Sequence, residues 1–166
     1  MLEAIFADAP KAVTVAFVLT TLLLLLSFRR WRDRLLTLAA LLIGVLWMAA
    51  CLAGFRIKLN FLNFLAFPIT LGNGVDYAVN YMQRQVQEER SPGDAVGRTV
   101  EATGGAVVLC SLTTIHGYVS LYASSNQALN SFGAAMAISE TTCVLAAVVA
   151  LPAYLAIRAK RSRGPS

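Results

Sequence analysis

The stretch LLTLAALLIGVLWMAACLAGF, from Leu35 to Phe55, holds 21 residues without a charge. At 1.5 Å per residue a helix of that length covers ~30 Å, the thickness of a bilayer's hydrocarbon core. The stretch lacks the alternation of a membrane barrel strand, so a helix is the form that satisfies its backbone in lipid. Working outward, four more apolar segments appear. Val13 to Phe28 contains the leucine block Leu22–Leu26 and stops at Arg29. Leu59 to Gln83 carries one charge, Asp76. Thr103 to Ala123 carries no formal charge but contains His116, and Ala128 to Ile157 carries only Glu140. The pattern predicts an all-α membrane protein of about five transmembrane helices, over residues 13–28, 35–55, 59–83, 103–123 and 128–157.

Composition agrees. Of the 166 residues 57% are hydrophobic and 14% charged, where a soluble domain carries about 25% charged residues. No stretch is left over for a separate water-soluble domain. The first eleven residues contain Glu3, Asp8 and only Lys11, unlike the basic start of a signal peptide. Cys51, Cys110 and Cys143 all sit in apolar runs without CxxC spacing, which reads as packing rather than metal or disulfide chemistry. A lone histidine makes no metal site, so neither metal nor cofactor is expected.

The net charge of +5 sits at the ends of the apolar runs, not along one polar face, so it signals topology and not nucleic acid. Eleven basic residues fall on the side of the C-terminal tail: Arg29, Arg30, Arg32 and Arg34; Arg84, Arg90 and Arg98; and Arg158, Lys160, Arg161 and Arg163. Three fall opposite: Lys11, Arg56 and Lys58. The positive-inside rule then places the C-terminus in the cytoplasm and the N-terminus outside. Residues 1–12 become a periplasmic lead-in, 84–102 a cytoplasmic loop with a short interfacial helix from Asp94, and 158–166 a basic tail. An odd number of helices starting outside suggests that the front of a larger chain is missing.

Ionisable groups in a span cost roughly 2.5–3.5 kcal/mol at the helix centre, so their presence points to function. Asp76 lies eight residues before Arg84, ~12 Å inside the boundary. Around it runs Gly72-Asn73-Gly74-Val75-Asp76-Tyr77-Ala78-Val79-Asn80. Asn73, Asp76 and Asn80 share one helix face, and Asn73, Tyr77 and Asn80 an overlapping one. A dry carboxyl beside amides and hydroxyls suits a group that binds and releases a proton; the alternative is a buried Asp that only pins helices together. Thr113 and Gly117 form a small-residue pair, and Thr114 is a candidate to present a hydroxyl to Asp76. His116 and Glu140 are secondary candidates, each readable as a proton site or a packing contact. The spacing Gly72-x-Gly74-x-Asp76 is one residue too long for an intramembrane aspartyl protease, and no second intramembrane Asp exists. No enzymatic activity is expected.

Three stretches carry a family resemblance: Asn60 to Phe64, Pro68 to Asn80, and Thr103 to Ile115. Ser131-Phe132-Gly133 and Leu151-Pro152-Ala153 fit as well. Together the chain resembles the C-terminal membrane half of the resistance-nodulation-division superfamily, in its branch of MMPL-type, hopanoid-transporter-like lipid exporters. The resemblance implies a bacterial inner-membrane transporter of twelve helices, of which these would be the last five, driven by protons moving through membrane carboxylates. It implies a proton relay through Asp76 and Tyr77, with Thr113 or Thr114 as the relay hydroxyl; Asn73 and Asn80 join this expected relay through the helix faces they share with Asp76 and Tyr77. It also implies a partner: an N-terminal half bearing periplasmic porter domains. Membrane lipids, protons and a homo-oligomer complete the expected partners, with nucleic acid excluded. The competing reading is a non-transporting, sterol-sensing-like accessory module that binds lipid or a partner helix.

Overall fold

The structure, a computed structural model, describes residues 2–57 and 61–162. Lys58, Leu59 and Asn60, and Arg163 in the tail, lie outside the described residues. Among the described residues no strand occurs, and they form five helical rods. The rods are α1 (Leu2–Ser27), α2 (Trp31–Gly54) and α3 (Phe61–Glu88), then two composite ones. In the fourth, α4 (Ala95–Thr99) passes through a π turn, Val100–Gly104, into α5 (Gly105–Ser120). In the fifth, α6 (Gln127–Leu145) passes through a π turn, Ala146–Ala150, into α7 (Leu151–Ser162).

All five expected helices are present, with longer bounds than the apolar runs imply. α1 already runs from Leu2 through Pro10, so most of the stretch read as a lead-in is helical. α3 continues to Glu88 because Arg84 pairs with Glu88 one turn on, at 2.8 Å. The expected 84–102 loop therefore shrinks to residues 89–94. The short helix expected after Asp94 exists, and Asp94 caps it by accepting from the Gly97 amide at 3.1 Å. It is no separate element, since it feeds straight into α5.

Four rods are long and apolar enough to cross a membrane. The exception is α3. Its 28 residues would span ~42 Å, but Asn63, Thr70, Asn73, Asp76, Asn80 and Gln83 make it polar. A polar helix is tolerated in lipid when neighbours cover it, and α3 packs against α1, α2 and α6. α6 is the second hub, touching α2, α3 and α5. Small residues set these crossings. A Cβ on Gly74 would stand 2.9 Å from Cys143 Sγ, and one on Gly44 3.0 Å from the same atom. Cys143 thus plugs the point where α2, α3 and α6 meet. Where α5 crosses α6, a Cβ on Gly133 would stand 2.6 Å from the Tyr118 carbonyl oxygen. The expectation that every cysteine is buried packing holds for Cys143 alone. Cys110 is exposed, because α5 lies at the bundle's edge, and Cys51 on α2 is half-buried.

The basic end is stitched by arginines. Arg34 donates to the carbonyls of Phe28 and Leu25, closing the end of α1. Arg98 donates to the Glu88 carboxylate at 2.7 Å and to the carbonyls of Glu88, Ser91 and Pro92. The turn at Gly93, with φ +110°, is left-handed backbone that favours glycine.

Candidate functional site

The polar residues of α3 divide between two faces. Leu65, Ile69, Gly72, Asp76, Asn80 and Gln83, spaced three or four apart, form an exposed stripe that no other described helix covers. Thr70 and Tyr77 are buried and Asn73 is half-buried, on the side turned toward α6. Asp76 and Tyr77 are adjacent in sequence and about 100° apart on a helix of 3.6 residues per turn. One therefore points out of the bundle and the other in.

The inner face meets the carboxylate of the bundle core. Glu140 on α6 is 1% exposed, the most buried carboxyl side chain among the described residues. The Tyr77 hydroxyl donates a hydrogen bond to Glu140 Oε1. Thr114 of α5 makes a side-chain contact with the same hydroxyl, and its own hydroxyl also donates to the Cys110 carbonyl at 3.1 Å. Toward the opposite end, the Asn73 amide contacts the Tyr118 hydroxyl of α5. Deeper still on the same side of α3, the hydroxyls of Thr70 and Ser139 lie 2.5 Å apart. The result is a polar seam of hydroxyls, amides and one carboxylate running between α3, α5 and α6. Within it the run Thr114–Tyr77–Glu140 is joined by direct contacts, and in a low-dielectric interior hydrogen bonds between such neighbouring oxygens strengthen one another.

Each sequence candidate now has a place. Tyr77, Asn73, Thr114 and Glu140 come together in the seam. Asp76 and Asn80 stay apart from it, on the open stripe. The dry, enclosed carboxyl expected at Asp76 is Glu140 instead, and the hydroxyl of Thr114 serves Tyr77 and not Asp76. Thr113 is exposed and donates to its own helix, at the Leu109 carbonyl. His116 is also exposed on α5. Ala106, Cys110, Thr113, Gly117 and Ser120 make a second open stripe, of small side chains, at alternating spacings of four and three. Sequence reasoning missed Tyr118, Thr70 and Ser139 as members of the seam. A signal was present: Thr70, Asn73 and Tyr77 are spaced i, i+3 and i+7, as are Ser111, Thr114 and Tyr118.

Among the described residues no cluster of histidine, cysteine and carboxylate could hold a metal ion.

Known proteins bear on this arrangement. The chain is 32% identical over 157 residues to the hopanoid transporter HpnN of Rhodopseudomonas palustris, covering 92% of this chain and 17% of the relative. It is 30% identical over 148 residues to HpnN of Burkholderia multivorans, covering 88% of this chain and 16% of the relative. A membrane protein of Methanocaldococcus jannaschii is 26% identical over 148 residues, covering 87% of this chain and 38% of the relative. The chain thus spans well under half the length of these curated relatives. The MMPL family matches residues 1–165, end to end but for one residue. The chain, an all-α membrane protein, belongs to the MMPL family.

Proposed function

We propose that this chain is the membrane part of a proton-motive-force-driven exporter of lipids or other hydrophobic molecules, working with a second half that carries porter domains. It acts as a transport module and not as an enzyme, in the bacterial inner membrane. The basic end faces the cytoplasm, and the N-terminus lies outside. The similarity to hopanoid transporters and the small fraction of their length spanned here support that reading.

One observation carries the mechanism. Asp76 stands on the open stripe of α3, while Tyr77, the next residue, is tied through its hydroxyl to Glu140 in the core. In a complete transporter the open stripe, with Gly72 allowing close approach, is where the second half covers Asp76. A proton arriving at Asp76 changes the cost of its charge in that interface. α3 answers by turning or sliding, and Tyr77 transmits the motion to Glu140 and α6. Asn73, Asn80, Thr113 and Thr114 orient the groups on either face. The membrane potential supplies ~2.3 kcal/mol per charge per 100 mV to drive the cycle.

The test is Asp76→Asn in the reassembled transporter, with export rate and membrane abundance measured together. The variant keeps the size of the side chain but cannot cycle a proton. Export should be abolished with abundance near normal. Normal export sinks the relay, and loss of the protein itself points to a packing role or an accessory module.

A further inference from the structure

At the basic end, away from both the seam and the open stripe of α3, the start of α2, the end of α3, the 89–94 loop and α7 enclose a cavity of ≈ 520 Å³. Its wall carries both signs of charge. Arg32 and Arg158 contribute guanidinium groups from α2 and α7, while Glu89 and Asp94 contribute carboxylates from the loop. Gln85 also lines it and is 2% exposed, and its Oε1 has no hydrogen-bond partner among the described residues. One turn deeper on the same side of α3, the fully buried Tyr81 hydroxyl is also unpartnered. Buried acceptors are nearly always satisfied, so an orphan facing a cavity marks a missing donor.

The same two arginine-bearing helices form an apolar groove immediately deeper in the membrane. It measures ≈ 380 Å³ and is walled by Leu35, Ala39 and Ile43 of α2 and by Leu151 and Tyr154 of α7. Arg32 precedes Leu35 by one turn, and Arg158 follows Tyr154 by one turn. A charged cavity therefore sits directly over an apolar groove, in the order in which a lipid presents headgroup and acyl chain.

We propose that cavity and groove together hold one phospholipid of the leaflet at the basic end, with an ethanolamine-type headgroup. Its phosphate faces Arg32 and Arg158, which match a phosphate as charge-assisted donors. Its primary ammonium turns to Glu89 and Asp94 and donates to Gln85 Oε1. One acyl chain follows the groove between Leu35 and Tyr154. A choline headgroup has no N–H for Gln85, and a glycerol headgroup offers no cation to the carboxylates. Of these three headgroups, ethanolamine alone offers both an N–H to Gln85 and a cation to the carboxylates.

Native mass spectrometry of the full chain checks this. It would be released from bilayers holding equal phosphatidylethanolamine, phosphatidylcholine and phosphatidylglycerol of identical acyl chains. Phosphatidylethanolamine should be retained about tenfold over either other lipid, the scale of one hydrogen bond to a charged group. Gln85→Leu and Glu89→Gln should each erase that preference. Arg158→Gln should lower retention of all three lipids. Tyr154→Trp, which fills the groove, should do the same without touching the headgroup cavity, and serves if Gln85→Leu fails to fold by circular dichroism. Soluble glycerophosphoethanolamine at equal concentration should not displace the lipid. Equal retention of all three lipids, a preference unmoved by Glu89→Gln, or displacement by the soluble headgroup would each overturn the proposal.

Discussion

Tyr77 of α3 donates its hydroxyl hydrogen to the carboxylate of Glu140 on α6, two residues 63 positions apart that meet in the centre of the bundle. Thr114 of α5 meets the same hydroxyl. The bond joins the helix that carries Asp76 to the helix that packs on α2, α3 and α5.

Removing that bond should destabilise the fold. Tyr77→Phe leaves a buried carboxylate oxygen without its donor, at a cost of about 1–3 kcal/mol. Glu140→Gln keeps the acceptor and should cost less. Unfolding in detergent, followed by circular dichroism, would give the values for Tyr77→Phe, Glu140→Gln and Glu140→Leu, and for Tyr77→Phe combined with Glu140→Leu. Residues in direct contact couple, so the double variant should be milder than the sum of Tyr77→Phe and Glu140→Leu. Strict additivity would show that the pair does not act as a unit.

Glycines on the closed and open faces should respond in opposite directions. Gly133→Ala drives a methyl against the Tyr118 carbonyl, which is backbone and cannot step aside. Overpacking of this kind costs about 1–3 kcal/mol. A methyl on Gly72 or Gly117 meets nothing within 4 Å, and Gly→Ala within a helix gains up to ~1 kcal/mol. Thermal midpoints of the three single variants of this chain should fall for Gly133→Ala and hold or rise for the other two. A stable Gly133→Ala protein would contradict the close α5–α6 crossing.

The clasp at the basic end should survive mild acid. Hydrogen bonding from Arg98, the largest influence, with the charges of Arg84 and Arg98, holds the Glu88 carboxyl below its ordinary value. A carboxylate with a lowered folded value contributes stability that is present above its unfolded value and lost as pH falls through the folded one. Protection of the 89–94 loop should therefore persist through the ordinary glutamate range near about 4.3 and fail only below it. Hydrogen exchange across that loop, measured against pH, would show the transition. Arg98→Gln should remove the protection at neutral pH; an unchanged profile would show that the loop is held by something else.

Orientation has a direct test. With the native cysteines replaced, Asn126→Cys should react with an impermeant thiol reagent from outside the cell, and Arg90→Cys only after the membrane is opened. The reverse pattern would invert the topology and place the lipid cavity in the outer leaflet.

The membrane class, the five helices and the family were readable from the sequence alone. Runs of apolar residues about as long as a bilayer is thick, ended by arginines, follow from local physics: a backbone in hydrocarbon must bond to itself. The cap at Asp94 was legible for the same reason, since its partner is three residues away. What only the tertiary structure decided is which polar residue faces which neighbour. Asp76 and Tyr77 differ by one residue, and two overlapping faces of α3 were equally open to the pattern of Asn73, Asp76, Tyr77 and Asn80. The choice between them was made by α6, whose Glu140 accepts from Tyr77 across 63 residues of chain, and by Cys143 wedged against Gly44 and Gly74. Those contacts depend on the rotation of one helix against another. Shape complementarity among small side chains sets that rotation, and the sequence of α3, with polar residues on both of its faces, cannot express it.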